Sequence, residues 1–316
     1  MDSHAPLPSS PSPLNALRRV RLSSLLSAFL GAGIALAATS GGAQERRLDG
    51  DPAVRIPDAL RGRSGRLRLH VISPHDQFAV LGVAPVADGA TPATILAVRD
   101  SLANAHFRFV TLVPFAQKQN GRVGVYRVGR WPAEVRRPRS EAYRAPSGFI
   151  EVTEAAQDVP VSTHFTLGQF LTKDQEDVWP KFLVLDERLI DKLELIVSEL
   201  RLAGHRAEGL TVLSGFRTPQ YNARGAKSGL ASDSRHQYGD AADVFVDSDS
   251  DGRMDDLTGD GRIDTRDALA FARIVDRVEV KYPELAGGVG LYRVVPGHGP
   301  FVHVDARGQH VRWGFP

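Results

Sequence analysis

"SRHQYGDAADVFVDSDSDGRMDDLTGDGRID", positions 234–264, sets His236 in a turn rich in Gly and Ala, runs through a strand-like "AADVFV", and then opens a stretch with eight aspartates between Asp247 and Asp267. Imidazole suits zinc and similar ions, whereas several hard oxygens suit calcium. The stretch therefore predicts two metal sites side by side, one for chemistry and one for holding the chain. His236 and Asp243 are separated by Gly239, Ala241 and Ala242, small residues that let the backbone turn closely so that both side chains point to one centre. In "FVHVDARG", His303 and Asp305 share one face of a strand because side chains alternate. Two imidazoles and a carboxylate with a fourth position open make a catalytic zinc arrangement. Spacing alone leaves open that these are ordinary core or surface residues.

The aspartate run carries two overlapping loops of the calcium type. Asp247, Asp249, Asp251 and Asp255 take positions 1, 3, 5 and 9 of the first, with Gly252 at 6. Asp256, Thr258, Asp260, Asp264 and Asp267 take 1, 3, 5, 9 and 12 of the second, with Gly261 at 6 and the Arg262 carbonyl at 7. The second is more complete, because Thr258 stands where the first needs an acid. The expectation is one calcium ion that orders the insertion 247–267. The second loop resembles the calcium loops of dockerin modules.

The chain has 316 residues, 42% hydrophobic and 24% charged, with a formal charge of +2. That is the composition of a globular protein of about two domains, without the basic excess of a nucleic-acid binder. Cysteine is absent, which excludes disulfides, thiolate metal sites and cysteine nucleophiles. Arg18, Arg19 and Arg21 precede the apolar "LSSLLSAFLGAGIALAA", followed by the polar "TSGGAQE". This is the layout of an export signal over 1–44; an uncleaved membrane anchor is the alternative. Either way the remainder is expected outside the cytoplasm, in the periplasm or cell envelope.

Residues 45–65 read as a linker. The runs "RLRLHVI", "FAVLGVA", "HFRFVTLVPF" and "RVGVYRVG" make a small β-rich domain over 66–132. Residues 133–159, rich in Pro and Arg at their start, read as a connector. An α+β domain over 160–316 follows, with a helix after Asp186, strands at "GLTVLSGFRT", "AADVFV", "GGVGLYRV" and "FVHVDA", and a second helix capped by Asp264 or Thr265.

"SGFRTPQYN", "SRHQYGDAADV" and "FVHVDARGQHVRW", in this order, resemble the zinc-dependent D-alanyl-D-alanine peptidase family of bacterial cell walls, which includes carboxypeptidases, dipeptidases and murein endopeptidases. The resemblance covers about residues 160–316 and is nearest to the branch that continues as here with Arg312 and Trp313. It implies a catalytic domain with a central antiparallel sheet, zinc held by His236, Asp243 and His303, Arg217 over the site, and Ser234 beside the substrate amine or simply a turn residue. The substrate it implies is a peptidoglycan stem peptide or crosslink. Pro300 stands where several members carry the acidic base, three residues before the last histidine ligand. Asp305 is the substitute chosen on the shared face with His303, holding a ligand histidine being its other role, with His298 in reserve. Two other functions fit the sequence: a non-catalytic cell-wall-binding module on the same scaffold, and a calcium-dependent adhesion or scaffolding protein.

Overall fold

Asp186 is extended and its carboxylate accepts the Arg188 amide, which starts helix α1 (Glu187–Leu202). Leu189, Ile190, Leu193, Ile196, Val197 and Leu200, spaced along one face, are all buried. The computed structural model describes residues 45–47, 56, 58–72, 95–101, 104–225, 231–294 and 298–315. The export signal and the "FAVLGVA" run lie outside these residues. Among them are two further α-helices, α2 (Pro219–Arg224) and α3 (Thr265–Lys281), and no helix long and apolar enough to cross a membrane.

The fold is mixed α+β with several small sheets. The first pairs β1 (Glu45–Arg47), β2 (Leu69–Ile72), β3 (Ile95–Asp100) and β4 (Ala105–Thr111) in the order β1-β3-β4-β2. The second, β5 (Val113–Pro114) with β8 (Gly148–Val152) and β9 (Lys181–Leu183), lies in the order β5-β8-β9, and β6 (Arg122–Val123) with β7 (Tyr126–Arg127) forms a hairpin. The largest contains β10 (Thr211–Ser214), β11 (Ala241–Phe245), β12 (Gly288–Tyr292), β13 (Phe301–Asp305) and β14 (Val311–Trp313) in the order β10-β11-β13-β12-β14. It is antiparallel except for the parallel pair β12–β14.

Alternation divides this sheet into two unlike faces. Ala242, Val244, Val289, Val302 and Val304 are buried in the core that also holds Phe271, Val275 and Leu193 of the helices. The opposite face carries Asp243, His303 and Asp305. Burying a large apolar side chain is worth about 1.5–3 kcal/mol, so the register that puts the valines under the helices also fixes the polar trio on the other side.

The main core is continuous from the β-rich part to the sheet, since Leu67, Val110, Trp131 and Phe149 belong to the same cluster as Leu193 and Val304. Among the described residues, Ile56, Ile72, Phe107 and Phe109 form a separate small cluster. The segment expected as a connector differs from its reading in its second half: β8 pairs with β5 and β9, and Phe149 and Ile150 are fully buried. Its proline- and arginine-rich start hid a strand that begins only at Gly148.

Candidate metal centre

Asp243 on β11 and His303 on β13 are direct cross-strand partners, so their side chains leave the sheet side by side. His236 arrives from a different element, a single 3-10 turn, Arg235–Tyr238, packed over that face. The turn closes at Gly239, whose φ is +72° and whose missing Cβ leaves room for the Val184 carbonyl. The Asp186 amide donates to the Gly239 carbonyl at 2.9 Å, and the Trp131 indole Nε1 donates to the Gln237 carbonyl at 2.8 Å.

Three atoms converge. His236 Nε2 lies 3.1 Å from His303 Nδ1 and 3.2 Å from Asp243 Oδ1, and His303 Nδ1 lies 3.0 Å from the same oxygen. All three residues are buried. Their outer atoms are engaged in a way that decides the tautomers. The Gly215 carbonyl, 2.6 Å from His236 Nδ1, can only accept. The proton of a neutral His236 therefore sits on Nδ1, and Nε2 turns its lone pair inward. Asp305 Oδ2, 3.2 Å from His303 Nε2, does the same from the other side and leaves the Nδ1 lone pair facing inward. Donors 3.0–3.2 Å apart match the edge of a tetrahedron around a first-row dication, about 3.3 Å for bonds of about 2.0–2.1 Å. The group could hold such an ion.

Burial pushes His236 below the ordinary imidazole value, against the opposing pull of Asp243. His303 moves the other way: burial disfavours its charge, but the bonds to Asp243 and Asp305 outweigh it. The Asp243 carboxyl, despite burial, is held well below the usual range by the two imidazoles. A carboxylate fixed in its ionised form is the state in which it ligates metal.

Arg217 lies against the group. Its Nη2 pairs with Asp243 Oδ2, its Nε donates to Ser214 Oγ at 2.8 Å, and its amide donates to the His236 carbonyl at 3.1 Å. Ser214 is the β10 partner of Asp243 next to a register shift in that strand. Ser234 precedes the 3-10 turn, where its carbonyl accepts the Gln237 amide at 3.1 Å, and its hydroxyl makes no capping bond.

Asp305 as a general base is corrected by its position. It lies behind His303, on the ring nitrogen that faces away from the other two donors, with 0% exposure. Its carboxylate also accepts the Gly288 amide at 2.7 Å and the Arg307 guanidinium. His303 and Arg307 hold the Asp305 carboxyl far below the usual range in spite of burial, which suits an orienting anion and not a proton acceptor near neutral pH. His298 does not join the group either: its ring packs at 5.0 Å on Phe301 and its Nδ1 is 2.7 Å from the Gly299 carbonyl.

Sequence reading missed several supports. Cβ atoms at Gly288 and Gly290 would run into Asp305 and Trp313, so the glycines admit the Trp313 indole to within 5.1 Å of the His303 ring. The period-two glycines in "GGVGLY" carried that signal. Lys192 Nζ, 0% exposed, donates to the Asp305 carbonyl at 2.7 Å and to Glu279 at 2.6 Å. No local pattern announces that link.

In the aspartate run the first loop gathers its acids, with Asp247, Asp249 and Asp255 able to share an ion. Asp247 also accepts the Asp251 and Gly252 amides at 3.0 and 3.1 Å. The second loop, expected to be the better site, differs. Asp256 accepts the Gly261 amide at 2.6 Å as a loop of this type requires, but Arg266 draws Asp260 and Asp264 to itself at 2.6 and 2.8 Å. Asp267 caps α3 and reaches the Thr258 amide. Arg262 donates its amide to Asp260 at 3.0 Å. The competing cation, Arg266, is the physical reason. A third group, Asp276, Glu279 and His310, is already engaged: both carboxylates accept from the Arg312 guanidinium, and His310 Nδ1 lies 2.9 Å from Glu279 Oε2.

No family model, curated protein or solved structure matches this chain.

Proposed function

We propose that the chain is an exported zinc peptidase that hydrolyses peptide bonds in peptidoglycan stem peptides or crosslinks. The observation that carries the reading is the pair of imidazoles whose outer nitrogens are committed to Gly215 and Asp305, so that both lone pairs and the Asp243 carboxylate meet at one point. Zinc held there supplies Lewis acidity toward a carbonyl oxygen and a lowered pKa for water.

The chain's own residues do the rest. Arg217 holds Asp243 and carries a positive charge at the edge of the site, where negative charge grows on the oxygen of a scissile carbonyl. Asp305 positions His303, and the amide between Gly215 and Phe216 leads directly into Arg217, so one short turn sets both ligand and cation. The insertion 247–267 binds calcium in its first loop and steadies β11, the strand that presents Asp243.

Purified chain loaded with zinc should release peptides from isolated peptidoglycan, and His303→Ala and Asp243→Ala should release none. Zinc counting on the same samples ties the loss to the ligands. A second reading, a cell-wall-binding module, is favoured by Pro300 and by Asp305 facing away from the three donors. Binding to peptidoglycan without release of soluble peptides would establish it.

A further inference from the structure

We infer that the rim formed by Arg136 and Arg139 is the subsite for a free side carboxylate of the substrate, and that the protein prefers acidic peptides to their amidated forms. This rests on the peptidase reading for its location but not for its test.

Asp233 stands three residues before His236, so it lies within about 11 Å of that ligand along the chain. Its carboxylate accepts from Arg136 Nη2 at 2.9 Å, from Arg139 Nη2 at 3.0 Å and from the Tyr238 hydroxyl at 2.6 Å. One carboxylate neutralises only one of two guanidiniums. Both arginines remain exposed, 55% and 61% for their side chains, and each commits one of its five donors to Asp233. The stretch from Arg130 to Arg144 has five arginines against two glutamates. Those two are taken locally, Glu134 by Lys118 at 2.6 Å and Glu141 by Arg144 at 2.7 Å.

The rim is also built to hold its shape. The Arg139 guanidinium lies 4.4 Å over the Tyr143 ring. Arg235, buried and paired with Asp240, packs at 4.6 Å from Tyr143 and 4.5 Å from Tyr238. Two cations and two rings thus alternate from the surface down to the turn that carries His236. A guanidinium set in this way presents a pre-oriented fork, which matches a carboxylate better than a flexible ammonium would. The positive charge left over at this exposed pair attracts an anionic peptide.

The test uses the full chain and two dye-labelled stem pentapeptides of one sequence, with side carboxylates free in one and amidated in the other. Fluorescence anisotropy in low salt should show the free form binding about tenfold or more tightly, as expected for charged hydrogen bonds. Arg136→Gln/Arg139→Gln should erase that preference while leaving affinity for the amidated peptide unchanged. Arg139→Lys, which keeps charge but loses the fork, should fall between, and serves if the double variant does not fold. Equal affinity for both peptides in the parent chain, or a preference that survives in the double variant, overturns the inference. Cleavage is followed in the same tubes by mass spectrometry with zinc present. Failure to cleave either peptide rejects action on free stem peptides, release from isolated peptidoglycan then decides the peptidase reading, and the binding comparison alone decides the rim.

Discussion

His303 is held on both ring nitrogens and against one face, so single substitutions separate these supports. Asp305→Ala should keep the fold and weaken zinc binding by about 10–100-fold, the usual loss when a ligand histidine loses its orienting partner. Competition with a chromogenic chelator measures this, and unchanged affinity would remove Asp305 from the site. Gly290→Ala has a different signature. The new methyl would fall on the Trp313 indole, so the cost should appear as about 1–3 kcal/mol in urea unfolding. Residue type and spacing put His236, Asp243 and His303 forward as a possible group, and only the resemblance singled them out as a ligand set, because His236 sits on a turn that strand alternation does not place. For Asp305 the sequence left two roles open, base or holder of a ligand histidine, because the alternation that places it beside His303 cannot say which ring nitrogen it meets.

At the level of elements, α1 and α3 meet the site sheet through a buried ion pair. Lys192 and Glu279 are 87 residues apart and both buried, and the link from Lys192 to Asp305 spans 113. Such separations are invisible to local pattern, and each residue read alone suggests a solvated helix face. Buried pairs add little net stability over apolar replacements, yet breaking one partner costs about 3–5 kcal/mol. Lys192→Met should therefore destabilise strongly, and Lys192→Met/Glu279→Met should recover much of the loss. Zinc affinity should stay low in the double variant, because the Asp305 main chain has lost its anchor; calorimetry and metal titration together test this. The pair also sets an acid limit. Burial works against the Glu279 charge, but Lys192 and Arg312 hold its carboxyl below the ordinary value. Its stabilising contribution is complete above the unfolded value of about 4.3 and disappears as pH falls through the lower folded value. Glu279→Gln should flatten that acid limb of a stability-against-pH curve. In the aspartate run, calcium should raise the melting temperature of the parent chain, and Asp247→Asn should lose that response while Asp264→Asn keeps it. Composition revealed two loops, but Arg266, which decides between them, acts through side-chain reach and not through loop position.

Across the whole molecule, the α+β character and the core helices were legible from apolar periodicity alone, since burial of Leu193 or Val304 follows from spacing. The join between the β-rich part and the sheet was not, because it depends on aromatic rings from distant segments. Phe115, Trp131 and Phe149 pack at 5.5–5.7 Å from one another, and Phe149 lies 6.3 Å from Phe182. Trp131 fills this cluster and still spends its indole proton on the main chain beside His236. Early and late segments are thereby married at one carbonyl. A shortened version beginning after residue 159 would inherit His236, Asp243 and His303 and yet strip the histidine loop of its tether to Trp131, which makes this half a poor candidate for transplantation or for expression by itself.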